Sequence, residues 1–185
     1  MEPPKVPLDG TTLVVGPSNA GKTRLTALAL DEWVAEHGPD GVVVLDFAPT
    51  VERDGEILGG PLTQFTTVPD GAFHGVVDAH APRADGESDA EAFALAEENA
   101  AAAFERLDAA PADPAAVFVN DATIALQADP AATERLTEYC DRADCAVLNA
   151  FESDELGVEN PVSVTEREAL ERLRTWADRA VELGR

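Results

Sequence analysis

The chain has 185 residues, with 36 acidic side chains against 13 basic ones, and its formal net charge at pH 7 is −23. A surface of this sign repels nucleic acid and anionic membranes, which excludes a broad contact with either. Hydrophobic residues make up 45% of the sequence, enough at this length to bury the core of one α/β domain.

The first elements surround a glycine-rich segment. Residues 1–10 are rich in proline and are expected to be an irregular lead-in to a single domain at 11–185. Residues 11–15 favour a strand, and leucines and alanines after residue 23 predict a helix that ends near His37. The strand and the helix are therefore joined by residues 16–23.

That segment reads Gly-Pro-Ser-Asn-Ala-Gly-Lys-Thr, the G-x-x-x-x-G-K-T pattern of a Walker A loop. Its glycines let the backbone curl until successive N–H groups point at phosphate oxygens, and the following helix aims its positive end at the same anion. Lys22 is expected to reach the β- and γ-phosphates and act in catalysis, and the Thr23 hydroxyl is expected to bind Mg²⁺. The expected phosphate-binding residues are Gly16, Pro17, Ser18, Asn19, Ala20, Gly21, Lys22, Thr23 and Arg24.

On these residues the chain resembles the P-loop NTPase superfamily. The resemblance implies a three-layer α/β fold and the binding of a nucleoside triphosphate with Mg²⁺. G proteins recognise guanine with N-K-x-D after a late strand. Residues 149–152 keep only the asparagine of that motif, so ATP is expected and GTP is less favoured.

The rest of the chain alternates between strand and helix patterns. Strands are predicted at 42–46, 75–78, 116–121 and 146–150, with a short one at 65–68. Helices are predicted from a capping box at Ser88 to about residue 109, from Asp129 to about Arg142, and from a second capping box at Thr165 through Val181. This order predicts a mostly parallel sheet of about five strands with helices on both faces.

Three aspartates follow apolar runs and compete for a second role at Mg²⁺. Asp121 is preferred as a metal and catalytic residue, with Asp46 as a further metal ligand and Asp78 as the remaining alternative. In recombinase-like and AAA-like ATPases a glutamate often follows such an aspartate, whereas Ala122 follows Asp121 here.

Loop arginines supply the remaining candidate groups for phosphoryl transfer. Arg83 and Arg53 each follow a predicted strand, and Arg83 is the candidate for stabilising charge on the γ-phosphate. We expect a Mg²⁺-dependent ATP-binding protein that hydrolyses the γ-phosphate or transfers it to a small-molecule acceptor. The alternative is a nucleotide-binding regulatory or scaffold protein with little turnover.

Composition also bears on the protein's surroundings. The chain has only two cysteines, Cys140 and Cys145, and its first residues lack the apolar segment of a signal peptide, so we expect a cytoplasmic protein. Arginines outnumber lysines eleven to two, and carboxylates dominate the charged residues. This composition resembles that of proteins from salt-accumulating halophilic archaea.

Overall fold

A computed structural model describes residues 2–184, without the side chains of Arg53 and Leu58. Met1 and Arg185, the ends of the predicted ranges 1–10 and 11–185, lie outside the described residues. The strands are β1 Gly10–Gly16, β2 Val42–Asp46, β3 Val51–Arg53, β4 Glu56–Leu58, β5 Phe73–Val76, β6 Ala116–Asn120, β7 Cys145–Phe151 and β8 Arg179–Glu182. The helices are α1 Lys22–His37, α2 Pro82–Asp85, α3 Asp89–Ala109, α4 Thr133–Cys140 and α5 Pro161–Trp176, with short 3₁₀ turns at Leu62–Gln64, Ala122–Ala125 and Pro130–Ala132.

Six of the strands form one sheet in the order β5-β2-β6-β7-β1-β8, and all five pairings in it are parallel. The carboxyl ends of these strands therefore meet at one edge of the sheet. Strands β3 and β4 pair with each other as an antiparallel hairpin. The predicted α/β fold with a parallel sheet is confirmed, with six strands in place of about five.

Helices cover both faces of the sheet because the central strands are apolar on both sides. Leu13 and Val15 pack into a cluster that includes residues of α3, α4 and α5. Val14, between them, points the other way and packs in a cluster with Leu30 and Trp33 of α1. The strand period of two thus assigns alternate side chains to two separate cores.

The predicted final helix is wrong in its second half. Helix α5 ends at Trp176, and Val181 lies in β8, which pairs in parallel with β1. Asp178 fixes the turn between them, since its backbone N–H donates to the Thr11 hydroxyl and its carboxylate accepts from the Thr11 N–H. The chain thereby covers an edge of β1 that a longer helix would leave unpaired.

Two smaller predictions are also wrong, and two caps are confirmed. Residues 65–68 form no strand, and α5 begins four residues before Thr165, capped by the Asn160 side chain. Proline at the first position of α5 favours this earlier start. Ser88 caps α3 as predicted, and Asp129 caps a 3₁₀ turn that leads into α4, which ends at Cys140 rather than near Arg142.

Candidate functional site

The glycine-rich loop leaves β1 at the carboxyl edge of the sheet and enters α1 at Lys22. Gly21 caps the helix with φ 94°, a left-handed conformation that favours glycine, and nothing lies within 4 Å of where its Cβ would stand. Asn19 is also left-handed, with φ 59°. The loop therefore curls at the positive end of a 16-residue helix and leaves open space beside it.

Lys22 folds back over this loop. Its Nζ donates to the Pro17 carbonyl at 2.6 Å and lies 5.9 Å from the centre of the Phe151 ring. Burial lowers the pKa of Lys22, while Asp121, Glu155 and other nearby carboxylates oppose that shift. The ammonium group is therefore held in partly desolvated surroundings, with a neutral carbonyl as its hydrogen-bond acceptor.

Thr23 faces an asparagine and not one of the predicted aspartates. The Thr23 hydroxyl donates to Oδ1 of Asn120 at 3.2 Å, and Asn120 ends β6. Strand β7 lies between β1 and β6, so the contact spans two strand positions in the sheet. Asn120 was missed because residue order along the chain does not reveal which strand end faces the loop.

Asp46 lies behind Asn120 on the adjacent strand, where the two residues are cross-strand neighbours. Its carboxylate accepts from Asn120 Nδ2 at 3.0 Å and from the Leu62 N–H at 2.7 Å. The side chain is buried, and burial raises the pKa of Asp46. Asp46, predicted as a further metal ligand, is therefore linked to Thr23 through Asn120.

Asp121 follows directly and adopts a left-handed backbone with φ 58° and ψ 58°. Its N–H donates to Oδ1 of Asn149, and its buried Oδ1 has no hydrogen-bond partner within the described part of the chain. Burial, followed by the nearby Glu166, raises the pKa of Asp121 to about 7, and Lys22 and Arg83 oppose the shift. Asp121, directly after β6, thus combines a strained backbone conformation with a carboxyl group of raised pKa.

Arg83 lies in α2 and is held by a buried ion pair. Its NH1 is 2.8 Å from Oε1 of Glu166 and 2.9 Å from the Ser163 hydroxyl, and the two charged side chains are 14% and 6% exposed. The guanidinium also lies 5.6 Å from the centre of the Phe151 ring. Glu166 binds Thr123 and Gln127 through its second oxygen, so both charges have hydrogen-bond partners.

One cleft of about 770 Å³ is lined by Lys22, Thr23, Arg83, Asn120, Asp121 and Glu166, whereas Asp46 is not part of its lining. It extends from the glycine-rich loop past the ends of β6 and β7 to the β3–β4 hairpin, and Arg24 lies exposed at its rim. Its apolar lining includes Ala48, Pro49, Val51, Ile57, Phe65 and Leu156. A cleft with one charged end and one apolar end suits a ligand that combines phosphates with an organic group.

The remaining candidate residues, Asp78 and Arg53, are not placed in this cleft. Asp78 is exposed two residues beyond β5 and is not part of the cleft lining, and the side chain of Arg53 lies outside the described residues. Gln64 and Gln127, which sequence reasoning assigned to no motif, both line the cleft. Local sequence offered no signal for them because strands and helices far apart in the chain bring them there.

No model of a known protein family matches the chain, and no curated protein matches its sequence. Among residues 2–184, no group of three or more histidine, cysteine, aspartate or glutamate side chains is arranged to hold a metal ion. No helix in that range is long and apolar enough to cross a membrane.

Proposed function

We propose that this chain is a P-loop nucleotide-binding protein that holds ATP in the loop at residues 16–23. The observation that carries the proposal is the left-handed Gly21, which opens α1 beside empty space at the edge where the parallel strands end. Loop amides, the helix N-terminus and Lys22 supply the positive end of such a site. The cleft of about 770 Å³ has room for the rest of a nucleotide.

Lys22 is the residue that would change partner when phosphate binds. Its present acceptor is a neutral carbonyl, that of Pro17. A phosphate oxygen is the stronger acceptor because both donor and acceptor are then charged. Binding of ATP would therefore release Pro17 and fix the ammonium group against the β- and γ-phosphates.

We further propose that the site hydrolyses the γ-phosphate or transfers it to a small-molecule acceptor. Asp121 presents a carboxyl oxygen without a partner among the described residues, and its pKa of about 7 suits a group that takes a proton from an attacking hydroxyl or water. With Asn120 opposite Thr23, Asp121 stands one residue later, where recombinase-like ATPases carry a glutamate. Arg83 would add positive charge at the same cleft.

The residues around Thr23 accommodate Mg²⁺ as neutral oxygen ligands. The Thr23 hydroxyl and the Asn120 amide oxygen are 3.2 Å apart, close to the roughly 3 Å that separates adjacent ligands around an octahedral Mg²⁺. These two residues would hold the ion, with Asp121 as the nearest carboxyl group in sequence. When bound with a nucleotide, the ion would neutralise part of the phosphate charge.

The test is ATP binding and phosphate release in concentrated KCl, with Lys22→Ala compared against wild type. Loss of one charge-assisted contact is expected to weaken ATP binding by about ten- to a hundredfold. Lys5→Ala is the matched control, because Lys5 is the only other lysine and is exposed. Equal affinity of wild type and Lys22→Ala, or no binding to either, would refute the proposal.

The alternative, a regulatory nucleotide-binding protein with little turnover, is favoured by one observation. Gln127, a candidate for orienting an attacking water, is fully buried, and its Nε2 donates to the buried Glu166 while its Oε1 has no partner among the described residues. Tight ATP binding without phosphate release or labelled product would support this alternative. Transfer of labelled γ-phosphate to a metabolite in a cell extract would instead identify a kinase.

A further inference from the structure

The side chain opposite Thr23 is neutral, although a P-loop site is expected to place a carboxylate there. Asn120 Oδ1 accepts from the Thr23 hydroxyl at 3.2 Å and from Asn149 Nδ2 at 2.9 Å. The carboxylate of Asp46 lies one residue further away, on the neighbouring strand. A carboxylate, that of Asp46, is therefore present, but the Asn120 amide lies between it and Thr23.

The hydrogen bonds fix which way this amide points. Asn120 Nδ2 donates to Asp46 Oδ1 at 3.0 Å and to the Gly60 carbonyl at 2.9 Å. A flipped amide would turn its oxygen toward those two acceptors and its NH₂ toward the NH₂ of Asn149. The observed orientation is the only one that satisfies all four neighbours, so an uncharged oxygen faces Thr23.

Asp46 cannot easily replace Asn120, because its own oxygens are already used. One accepts from Asn120, and the other accepts from the Leu62 N–H at 2.7 Å. Asp46 is only 1% exposed, and both of its carboxylate oxygens have hydrogen-bond partners. Turning that carboxylate toward Thr23 would leave the Leu62 and Asn120 donors unpaired in the interior.

Asp121 is the other nearby carboxyl group, but its backbone turns away from the strand. Its left-handed conformation begins the 3₁₀ turn at Ala122–Ala125, and its N–H is bound by Asn149. The contact with Thr23 is made by the residue before it, Asn120. Asp121 therefore lines the cleft beside the Thr23 position and not opposite it.

We infer that Asn120 makes the protein side of the metal position neutral, so that this chain binds ATP almost equally well with and without Mg²⁺. This inference rests on the proposed function. A protein carboxylate attracts Mg²⁺ and repels the phosphates of metal-free ATP, and both effects make nucleotide binding depend on the metal. An amide oxygen offers only a dipole, and Lys22 would still attract the phosphates. The Ser18 N–H, which donates to Glu155 Oε1 at 3.0 Å, would exchange that carboxylate for a phosphate oxygen.

The test is a charge-neutral exchange of the two side chains, Asp46→Asn together with Asn120→Asp. Because residues 46 and 120 are cross-strand neighbours, the exchange keeps an amide–carboxylate hydrogen bond between them while it moves the charge to face Thr23. It loses the hydrogen bond from residue 120 to the Gly60 carbonyl and turns a carboxylate oxygen toward that carbonyl, so we expect the double variant to be less stable than wild type. Circular dichroism in concentrated KCl checks that the double variant is folded.

Calorimetric titration with ATP, in excess Mg²⁺ or in EDTA at equal ionic strength, measures the dependence on the metal. For wild type we expect the two dissociation constants to agree within about threefold, and for the exchanged variant we expect EDTA to weaken binding by more than about tenfold. Asp121→Asn, titrated in the same way, reports whether that carboxyl group binds the ion instead.

Each outcome decides the matter. A wild-type ratio of the two dissociation constants above about threefold overturns the inference. If Asp121→Asn then loses this dependence on Mg²⁺, the charge is assigned to Asp121. A folded exchanged variant that stays insensitive to EDTA also overturns it. If the exchanged variant does not fold, the wild-type ratio decides alone. No ATP binding by wild type under either condition refutes the proposed function itself, a result distinct from strong binding that requires Mg²⁺.

Discussion

At the scale of single residues, the site consists of polar groups that hold one another in place. Asn149 shows this most clearly, because its Nδ2 donates to Thr26 and Asn120 and its Oδ1 accepts from the Asp121 N–H. It joins the first turn of α1 to the ends of two strands. Such a network fixes its members only if each is satisfied. Two buried oxygens of the cleft, Oε1 of Gln127 and Oδ1 of Asp121, have no partner among the described residues, and of these two residues Asp121 is the exception that can ionise.

That exception predicts a dependence of stability on pH. The pKa of Asp121 is raised from 3.8 to about 7 in the folded protein, so the folded state binds more protons than the unfolded state between those values. Stability therefore falls as pH rises through this window, because burial disfavours the ionised carboxylate and no hydrogen-bond donor reaches its Oδ1 among the described residues. Asp121→Asn removes the titration, since its amide stays neutral.

The measurement is urea unfolding of both proteins between pH 5 and pH 8 in the same KCl concentration. We expect Asp121→Asn to gain stability relative to wild type as pH increases from 5 to about 7, and the difference to level off above that. Other titrating carboxylates act equally in both proteins, so the difference isolates this group. A constant difference across the range would show that Asp121 ionises freely.

The residues of the loop could be predicted from the sequence, and the residues opposite it could not. Gly21, Lys22 and Thr23 follow one another in the chain, so their spacing alone specifies a curled loop at a helix start. Asn120 meets Thr23 only because β7 lies between β1 and β6. Strand order depends on contacts across the whole domain, and no local pattern encodes it.

At the scale of elements, the same contrast appears at the chain's carboxyl end. Val181 continues the apolar spacing of α5, so the sequence pattern predicts a helix that extends through it. The backbone instead becomes extended at Ala177, and the four residues of β8 pair with β1. The apolar residues of so short a segment fit a helix or a strand equally well. The segment becomes a strand because the edge of β1 is free to pair with it.

The junction of β1 and β8 gives a test of why Gly16 is glycine. A Cβ at Gly16 would stand 2.5 Å from the Leu183 carbonyl oxygen, a backbone atom that cannot rotate away. We expect Gly16→Ala to lower the free energy of unfolding by about 1–3 kcal/mol through overpacking, without any nucleotide present. Gly184→Ala is the matched control, because nothing lies within 4 Å of a Cβ there.

Chemical denaturation of the two variants without ATP separates packing from ligand binding. A large loss for Gly16→Ala and little change for Gly184→Ala would show that β8 sets the requirement. If Gly16→Ala keeps wild-type stability and loses only ATP affinity, phosphate approach is the reason for the glycine and the packing explanation is wrong.

At the scale of the whole molecule, charge is the dominant feature, since carboxylates outnumber basic groups by 36 to 13. Several arginines form exposed pairs, such as Arg167 with Asp154 at 2.7 Å, and such pairs contribute only about 0–1 kcal/mol each. Because 36 acidic side chains face 13 basic ones, most carboxylates cannot have a cation of their own. Repulsion among the unpaired carboxylates therefore outweighs the attraction within the pairs when salt is scarce.

This balance predicts that the protein requires salt to stay folded. Raising KCl from about 0.1 M to about 1 M shortens the screening length from about 10 Å to about 3 Å, which weakens long-range repulsion more than close ion pairs. We expect the melting temperature to rise steadily over this range, as thermal scans followed by circular dichroism would show.

A variant with several exposed glutamates changed to glutamine should need less KCl for the same stability, because its repulsion is smaller at every salt concentration. A melting temperature that ignores KCl, or a charge-reduced variant that needs as much salt as wild type, would mean that the acidic surface does not govern stability.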